Sequence, residues 1–204
     1  MKTWNANQVR AFLTAAVEDR LSALWWLAVH TGMRRGELLA LQWQDIDLDK
    51  KVLAVRRTLT RGADGLTFGE PKSVSGRRAI ALPDICVEKL RNHRIHQLEQ
   101  RLQASSAWQE TDLVFERGDG RVLHPNTLSG TFMRLTKQAG LPRIRFHDLR
   151  HSAATLMLSN GVHPKIVQER LGHSDISMTL NRYSHVSMDM QREASDQLAE
   201  LLAQ

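Results

Sequence analysis

The run Arg145-Phe146-His147-Asp148-Leu149-Arg150-His151, followed by Leu171-Gly172-His173 and then Tyr183, gathers the residue types needed to attack a phosphodiester without a metal. Arginine is always charged and offers phosphate oxygens a planar fork. Histidine can hold or pass a proton near neutrality. Tyr183 is the only tyrosine among 204 residues, and a phenol can act as nucleophile and become covalently attached to its product. Each residue alone has a plainer reading. His147 and Arg150, three apart on a helix, make an ordinary surface pair; His173 opens an element after a Leu-Gly turn; a tyrosine is commonly a half-buried aromatic.

A second cation-bearing motif lies upstream, in His30-Thr31-Gly32-Met33-Arg34-Arg35-Gly36-Glu37-Leu38-Leu39-Ala40-Leu41. Leu24 to His30 is apolar and helical in pattern, Thr31-Gly32 breaks it, and Glu37 to Leu41 resumes it. Arg34 therefore sits at a helix–turn–helix junction, one turn before Glu37 and able to pair with it.

These strings together resemble the catalytic domain of tyrosine recombinases, the phage-integrase family of site-specific DNA recombinases. The T-G-M-R-R-G-E-L-L-A-L block, the H-D-L-R-H-S block and L-G-H-S-D-I-S-M-T-L-N-R-Y-S-H-V occur in the family's order from about residue 29 to residue 186. Glu70-Pro71-Lys72-Ser73 leading into Arg77-Arg78-Ala79-Ile80-Ala81-Leu82-Pro83 looks like the family's β-hairpin with an active-site lysine. The resemblance implies a fold of α+β class, mainly α, with a small antiparallel β-sheet or hairpin. It implies that Arg34 and Arg150 clamp the non-bridging oxygens of the scissile phosphate. His147 assists proton transfer at the tyrosine, His173 donates a further hydrogen bond, Lys72 protonates the departing 5′ oxygen, and Tyr183 forms a 3′-phosphotyrosyl bond. Arg77 and Arg78 compete with Lys72 for the cationic role, and Arg35 beside Arg34 occupies what looks like a variable position.

Physical chemistry supports this division of labour. The pentavalent transition state carries about one more negative charge than the diester, and each preorganised donor aimed at it contributes roughly 10²–10³ in rate. Metal ions often meet that charge. This chain shows no carboxylate cluster for two metals, so no cofactor and no metal are expected. The phenol, with an ordinary pKa of about 10, is shifted toward phenolate by the same cations.

Lys+Arg of 28 against Asp+Glu of 22 gives a net charge of +6, which makes a polyanionic partner plausible. Basic residues cluster at Arg56, Arg57 and Arg61, at Lys72, Arg77 and Arg78, and at Arg143 and Arg145, while Asp45, Asp47 and Asp49 gather elsewhere. Cys86 is the only cysteine, so no internal disulfide can form and a reducing cytosol fits. No apolar run reaches the roughly 18–20 residues of a membrane span, and no signal-peptide pattern opens the chain.

Helices are predicted from Asn5, a good cap, over Leu21 to His30, over Gly36 to Trp43, from Pro83-Asp84 to about Gln103, from Pro125 to before Gly140, and over His147 to Ser159. Strands are expected over Val52 to Thr60, Arg78 to Leu82 and Leu113 to Phe115. Residues 1–186 are expected to form the catalytic domain. Residues 187–204 would form a helical tail that either caps its own domain or docks in trans on a neighbouring protomer. Family members usually carry an N-terminal helical domain. Because Arg34 lies barely thirty residues in, that core-binding domain is expected to be absent.

The expected function is integration or excision of a mobile element, performed on double-stranded DNA by a homo-tetramer with possible accessory directionality or DNA-bending proteins. The expected location is cytoplasmic, in a bacterial or phage-infected cell. Three other readings stay open: a type IB topoisomerase, a catalytically silent integrase-like DNA-binding protein, and a helix-turn-helix regulator. The last rests on Val167 to Leu180, which resembles a DNA-binding helix-turn-helix.

Overall fold

Local sequence signals start most of the helices in the computed structural model, which describes residues 2–63, 65–71, 73–175, 192, 195–196, 198–200 and 202. The Asn5 side chain accepts from the Gln8 amide, and the Gln8 side chain accepts from the Asn5 amide. That reciprocal cap opens helix α1, Ala6–Ala15. Helix α2, Ser22–Thr31, ends at Gly32, whose left-handed φ of 63° costs glycine nothing. Helix α4, Asp84–Ala104, starts after Pro83, and helix α5, Pro125–Gln138, has proline at its first position. Helix α6 spans Phe146–Ser159 and helix α7 spans Pro164–Leu171.

Helix α3 is shorter than the sequence predicts, Arg35–Leu39, and is followed by a 3₁₀ turn at Trp43–Asp45. The backbone hydrogen bonds show why. Leu41 accepts from Val114, and Trp43 donates to Asp112. The segment is thus drawn off its helical path by pairing with 112–114, which makes an isolated bridge, Gln42 to Leu113, rather than the expected strand.

The β-forming run from Val52 also divides. Strand β2, Val52–Val55, lies between β1, Ile46–Asp47, and β5, Arg78–Ala81, in one antiparallel sheet. Strand β3, Thr58–Gly62, pairs with β4, Gly65–Gly69, in a separate hairpin. At the break, Arg57 donates to the buried Asp45 carboxylate at 2.6 Å and Arg56 approaches it at 3.7 Å. The acidic and basic clusters that look segregated in sequence are therefore in contact, and that contact turns the chain from one sheet to the other.

The core centres on Trp4, Phe12, Trp25, Phe132 and Phe146, drawn from α1, α2, α5, α6 and the N-terminal segment. Their ring centroids stand 5.2 to 6.1 Å apart, and each such ring contributes about 1.5–3 kcal/mol by burial. Trp4 also donates its indole N–H to Pro142 and its amide to Ser152. A smaller cluster of Ala154, Val167 and Leu171 seats α7 on α6. The architecture is mainly helical with small antiparallel β elements. No helix among the described residues is long and apolar enough to cross a membrane.

Candidate active site

Arg34 caps α3 in extended backbone, and Glu37, one turn on, accepts from its amide at 2.9 Å. The Glu37 carboxylate also accepts from the Arg34 guanidinium at 2.8 Å, the pairing expected from their spacing. The other terminal nitrogen of Arg34 donates to the Gly172 carbonyl at 3.2 Å, 138 residues away. Arg35 points elsewhere, donating to Ser129 on α5 at 2.8 Å.

On α6, Asp148 accepts from the Arg145 amide at 2.9 Å and from its guanidinium at 3.0 Å, closing the helix start. That start fixes His147 and Arg150 one turn apart. Arg150 is buried and donates to the Gly32 carbonyl at 2.7 Å across 118 residues of sequence. His147 reaches solvent, and its ring meets the His151 ring edge-on at 4.8 Å. Crowding by surrounding protein, then the positive charges of Arg150, Arg145 and Arg34, hold its imidazole below the ordinary 6.5. A neutral ring at pH 7 can take a proton as well as share one.

Helix α7 ends at Gly172, also left-handed with φ of 67°. The turn is fastened by Gln168, which accepts from the His173 amide at 3.1 Å and donates back to the His173 carbonyl at 3.2 Å. His173 is thereby buried beside the carbonyl that holds Arg34. The structure thus brings the Arg34 turn, the His147–Arg150 helix and the His173 turn together through two carbonyl contacts. Lys72 and Tyr183 lie outside the described residues. So does the second half of the helix-turn-helix-like stretch, of which the described part is α7 and its glycine turn.

A cleft of about 740 Å³ opens against this cluster. Arg34, Arg35, Arg61, Arg143, Arg145 and His147 line it, and no carboxylate among the described residues does. His173 lines a second hollow of about 560 Å³ with Arg77, Arg78 and Arg170. Cys86, buried beneath the Trp26 carbonyl, has a thiol pushed up to about 12 by burial, so it offers no competing nucleophile. Among the described residues no group of His, Cys, Asp and Glu could hold a metal ion.

Arg78 and Arg77 divide sharply. The Arg78 side chain is only 7% exposed and forks onto Glu37 at 2.9 and 3.2 Å, whereas Arg77 is exposed and pairs with Glu70. The sequence offered no signal for the Arg78–Glu37 pair, since 41 residues separate its members. Asp148 could have been found, three residues after the cap Arg145, where a carboxylate reaches back to the amide.

A family model described as the phage integrase family matches residues 2–190. A XerC-like tyrosine recombinase of Caldanaerobacter subterraneus subsp. tengcongensis is 34% identical over 213 residues, covering 98% of this chain and 54% of that protein. A prophage phiRv2 integrase of Mycobacterium tuberculosis is 35% identical, covering 93% of this chain and 48% of its own length. Among solved structures, the integrase of transposon Tn1549 in complex with transposon right end DNA superposes with a TM-score of 0.82 at 25% identity. That match covers 97% of this chain and 66% of the other. XerA recombinase superposes with a TM-score of 0.73 at 26% identity over 97% of this chain and 65% of the other. The chain spans about half the length of the curated relatives it matches. With the motif order, the clustered Arg34, His147, Arg150 and His173, and a family match over nearly its whole length, this chain belongs to the phage integrase family.

Proposed function

We propose that the chain is the catalytic part of a metal- and ATP-independent DNA strand transferase, acting in site-specific recombination of a mobile element. One observation carries this reading. Arg34, His147, Arg150 and His173, distant in sequence, are tied together by the Arg34–Gly172 and Arg150–Gly32 contacts next to a cleft whose charged lining is cationic. Such a site meets the extra negative charge of a pentavalent phosphorus with preorganised donors in place of metal ions.

In this reading Arg34 and Arg150 bind the non-bridging oxygens, with His173 adding a hydrogen bond. The Tyr183 phenolic oxygen bonds to phosphorus, its proton leaving by way of His147. The P–O5′ bond breaks and the 5′ oxygen takes a proton from Lys72. A 3′-phosphotyrosyl bond and a free 5′ hydroxyl remain, so bond energy is retained and returned when a 5′ hydroxyl attacks in reverse. The neutral state favoured for His147 suits it to accept the phenol proton.

The partner is double-stranded DNA, in keeping with the Tn1549 integrase structure, which is in complex with transposon right end DNA. The working assembly is a homo-tetramer on two duplexes, in the cytoplasm, with accessory DNA-bending or directionality proteins acting on it. Residues 1–186 form the catalytic domain. The 187–204 tail docks on a neighbouring protomer, a reading supported by the exposure of Leu198 and Leu202 at 56% and 76%. Deleting the tail should weaken DNA-dependent assembly, and unaffected assembly would refute the docking.

The test is covalent capture on nicked duplexes of randomised sequence with EDTA present, comparing wild type with Tyr183→Phe. Detergent-resistant adducts in wild type alone would establish the nucleophile and the lack of a metal requirement. Binding without adducts in either protein would favour a binding-only relative instead.

A further inference from the structure

Arg78 bonds one of the two groups that hold Arg34 and lies close to the residue that supplies the other. Its guanidinium forks onto Glu37, with Nη2 to Oε2 at 2.9 Å and Nη1 to Oε1 at 3.2 Å. Those same oxygens accept from Arg34, Oε1 from the side chain and Oε2 from the amide. Arg78 also lies directly under Gly172, whose carbonyl holds the other nitrogen of Arg34: a Cβ built on Gly172 would stand 2.9 Å from Arg78 Nη1. Two further donors go to the Arg170 carbonyl at 2.7 Å and the Gly76 carbonyl at 3.0 Å. The Glu37 side chain is 2% exposed, the Arg78 side chain 7%, and the Arg34 side chain 39%. Of the two cations sharing one carboxylate, only Arg34 reaches the cleft.

The charge balance gives this arrangement a consequence. Arg34 with Glu37 alone would be a neutral pair, its field cancelled by the carboxylate that orients it. With Arg78 added, the trio carries a net charge of one positive unit, directed outward through the exposed member. We propose that Arg78 is a positioning residue of the strand-transfer site, offsetting the Glu37 charge so that Arg34 meets the phosphate as a full cation, and tying down, through the Arg170 carbonyl, the end of α7 that carries Gly172. Arg78 touches no substrate; it acts through Arg34. The inference rests on the strand-transfer reading of the site.

The experiment compares cleavage of a nicked duplex carrying either an ordinary diester or a neutral methylphosphonate at the scissile position, for wild type, Arg78→Gln and Arg78→Lys. On the diester, Arg78→Gln is expected to slow cleavage by about 10–100-fold, the usual effect of removing a group that orients a directly bonding one. The methylphosphonate carries one negative charge fewer than the diester in both ground and transition state, so Arg34 has less charge to meet and the defect should be clearly smaller there. Arg78→Lys, which keeps the charge and loses the fork, should fall between. The ratio of the two rates within one variant does not depend on the fraction folded, so partial unfolding cannot mimic the result. Equal defects on both substrates, or no defect on either, would overturn the proposal while leaving the strand-transfer reading intact. No cleavage of the diester by wild type would instead overturn that reading, and this inference with it.

Discussion

Gly32 and Gly161 both sit in left-handed backbone just after a helix, with φ of 63° and 76°, yet alanine should behave very differently at the two. At Gly161 an added Cβ meets nothing within 4 Å. The cost is then the left-handed strain of roughly 1–2 kcal/mol less the roughly 0.4–1 kcal/mol gained by restricting the unfolded chain, about 1 kcal/mol net. At Gly32 the Cβ collides with the end of Leu171 and stands 3.8 Å from Arg150 Cγ. Leu171, the last residue of α7, is fully buried with Ala154 and Val167, so shifting its side chain disturbs the packing of α7 on α6. Overpacking of that kind adds about 1–3 kcal/mol, so Gly32→Ala should cost about 2–4 kcal/mol in all. The damage should not stop at stability, because the Gly32 carbonyl holds Arg150 at 2.7 Å and the side chain of Leu171 precedes the Gly172–His173 turn. Urea unfolding of the two variants measures the difference, and cleavage of a nicked duplex under folding conditions measures the second effect. Losses equal within about 0.5 kcal/mol, the ordinary scatter of neutral substitutions, would refute the steric reasoning and the claim that Leu171 braces the site.

Burial holds the His93 imidazole below its ordinary 6.5, with Nε2–H donating to the Val114 carbonyl at 2.7 Å. Its stabilising contribution is therefore complete above pH 6.5 and lost as pH falls through the depressed folded value. Glu37, lowered below 4.5 because Arg78 and Arg34 outweigh its burial, loses its contribution at still lower pH. Stability measured against pH should decline first below 6.5, and His93→Gln should flatten that decline; an unchanged slope would count against the linkage. DNA affinity should fall steeply with salt, because the five arginines lining the cleft release counterions, for a log–log slope of about −3 to −5. A slope near zero would exclude backbone phosphates as the main contact. Phe132→Ala, which empties a position packed against Trp4, Phe12, Trp25 and Phe146, should cost about 3–5 kcal/mol; a loss under about 1 kcal/mol in thermal or urea unfolding would show that the aromatic cluster is not the core's centre.

Local rules reached far along this chain because helix starts and stops are short-range chemistry. Asn5 with Gln8, Pro125, Gly32 and Gly172 are legible because caps and left-handed glycines act over one turn. Motif order was equally legible, and it was enough to place the chain in its family. Reading failed where a distant partner competed with local preference. The helix after Arg34 ends early because 41–43 pair with 112–114, and the β-run from Val52 divides because Arg57 reaches back to a buried Asp45. Periodicity carries no record of such partners.

The sequence by itself determined which residue types are present, in what order, and on which helix starts and turns they stand. From this followed the family and the kind of chemistry. Tertiary structure alone decided that Arg150 is held by the carbonyl of Gly32, that Arg34 is held by the carbonyl of Gly172, and that Arg78 shares Glu37 with Arg34. Those contacts span 118, 138 and 41 residues. Their geometry is set by how α6, α7 and β5 pack around the turn after α2. The physical reason is one of range: a cap is fixed by the few residues around it, whereas the orientation of a buried guanidinium depends on every element that supplies it an acceptor.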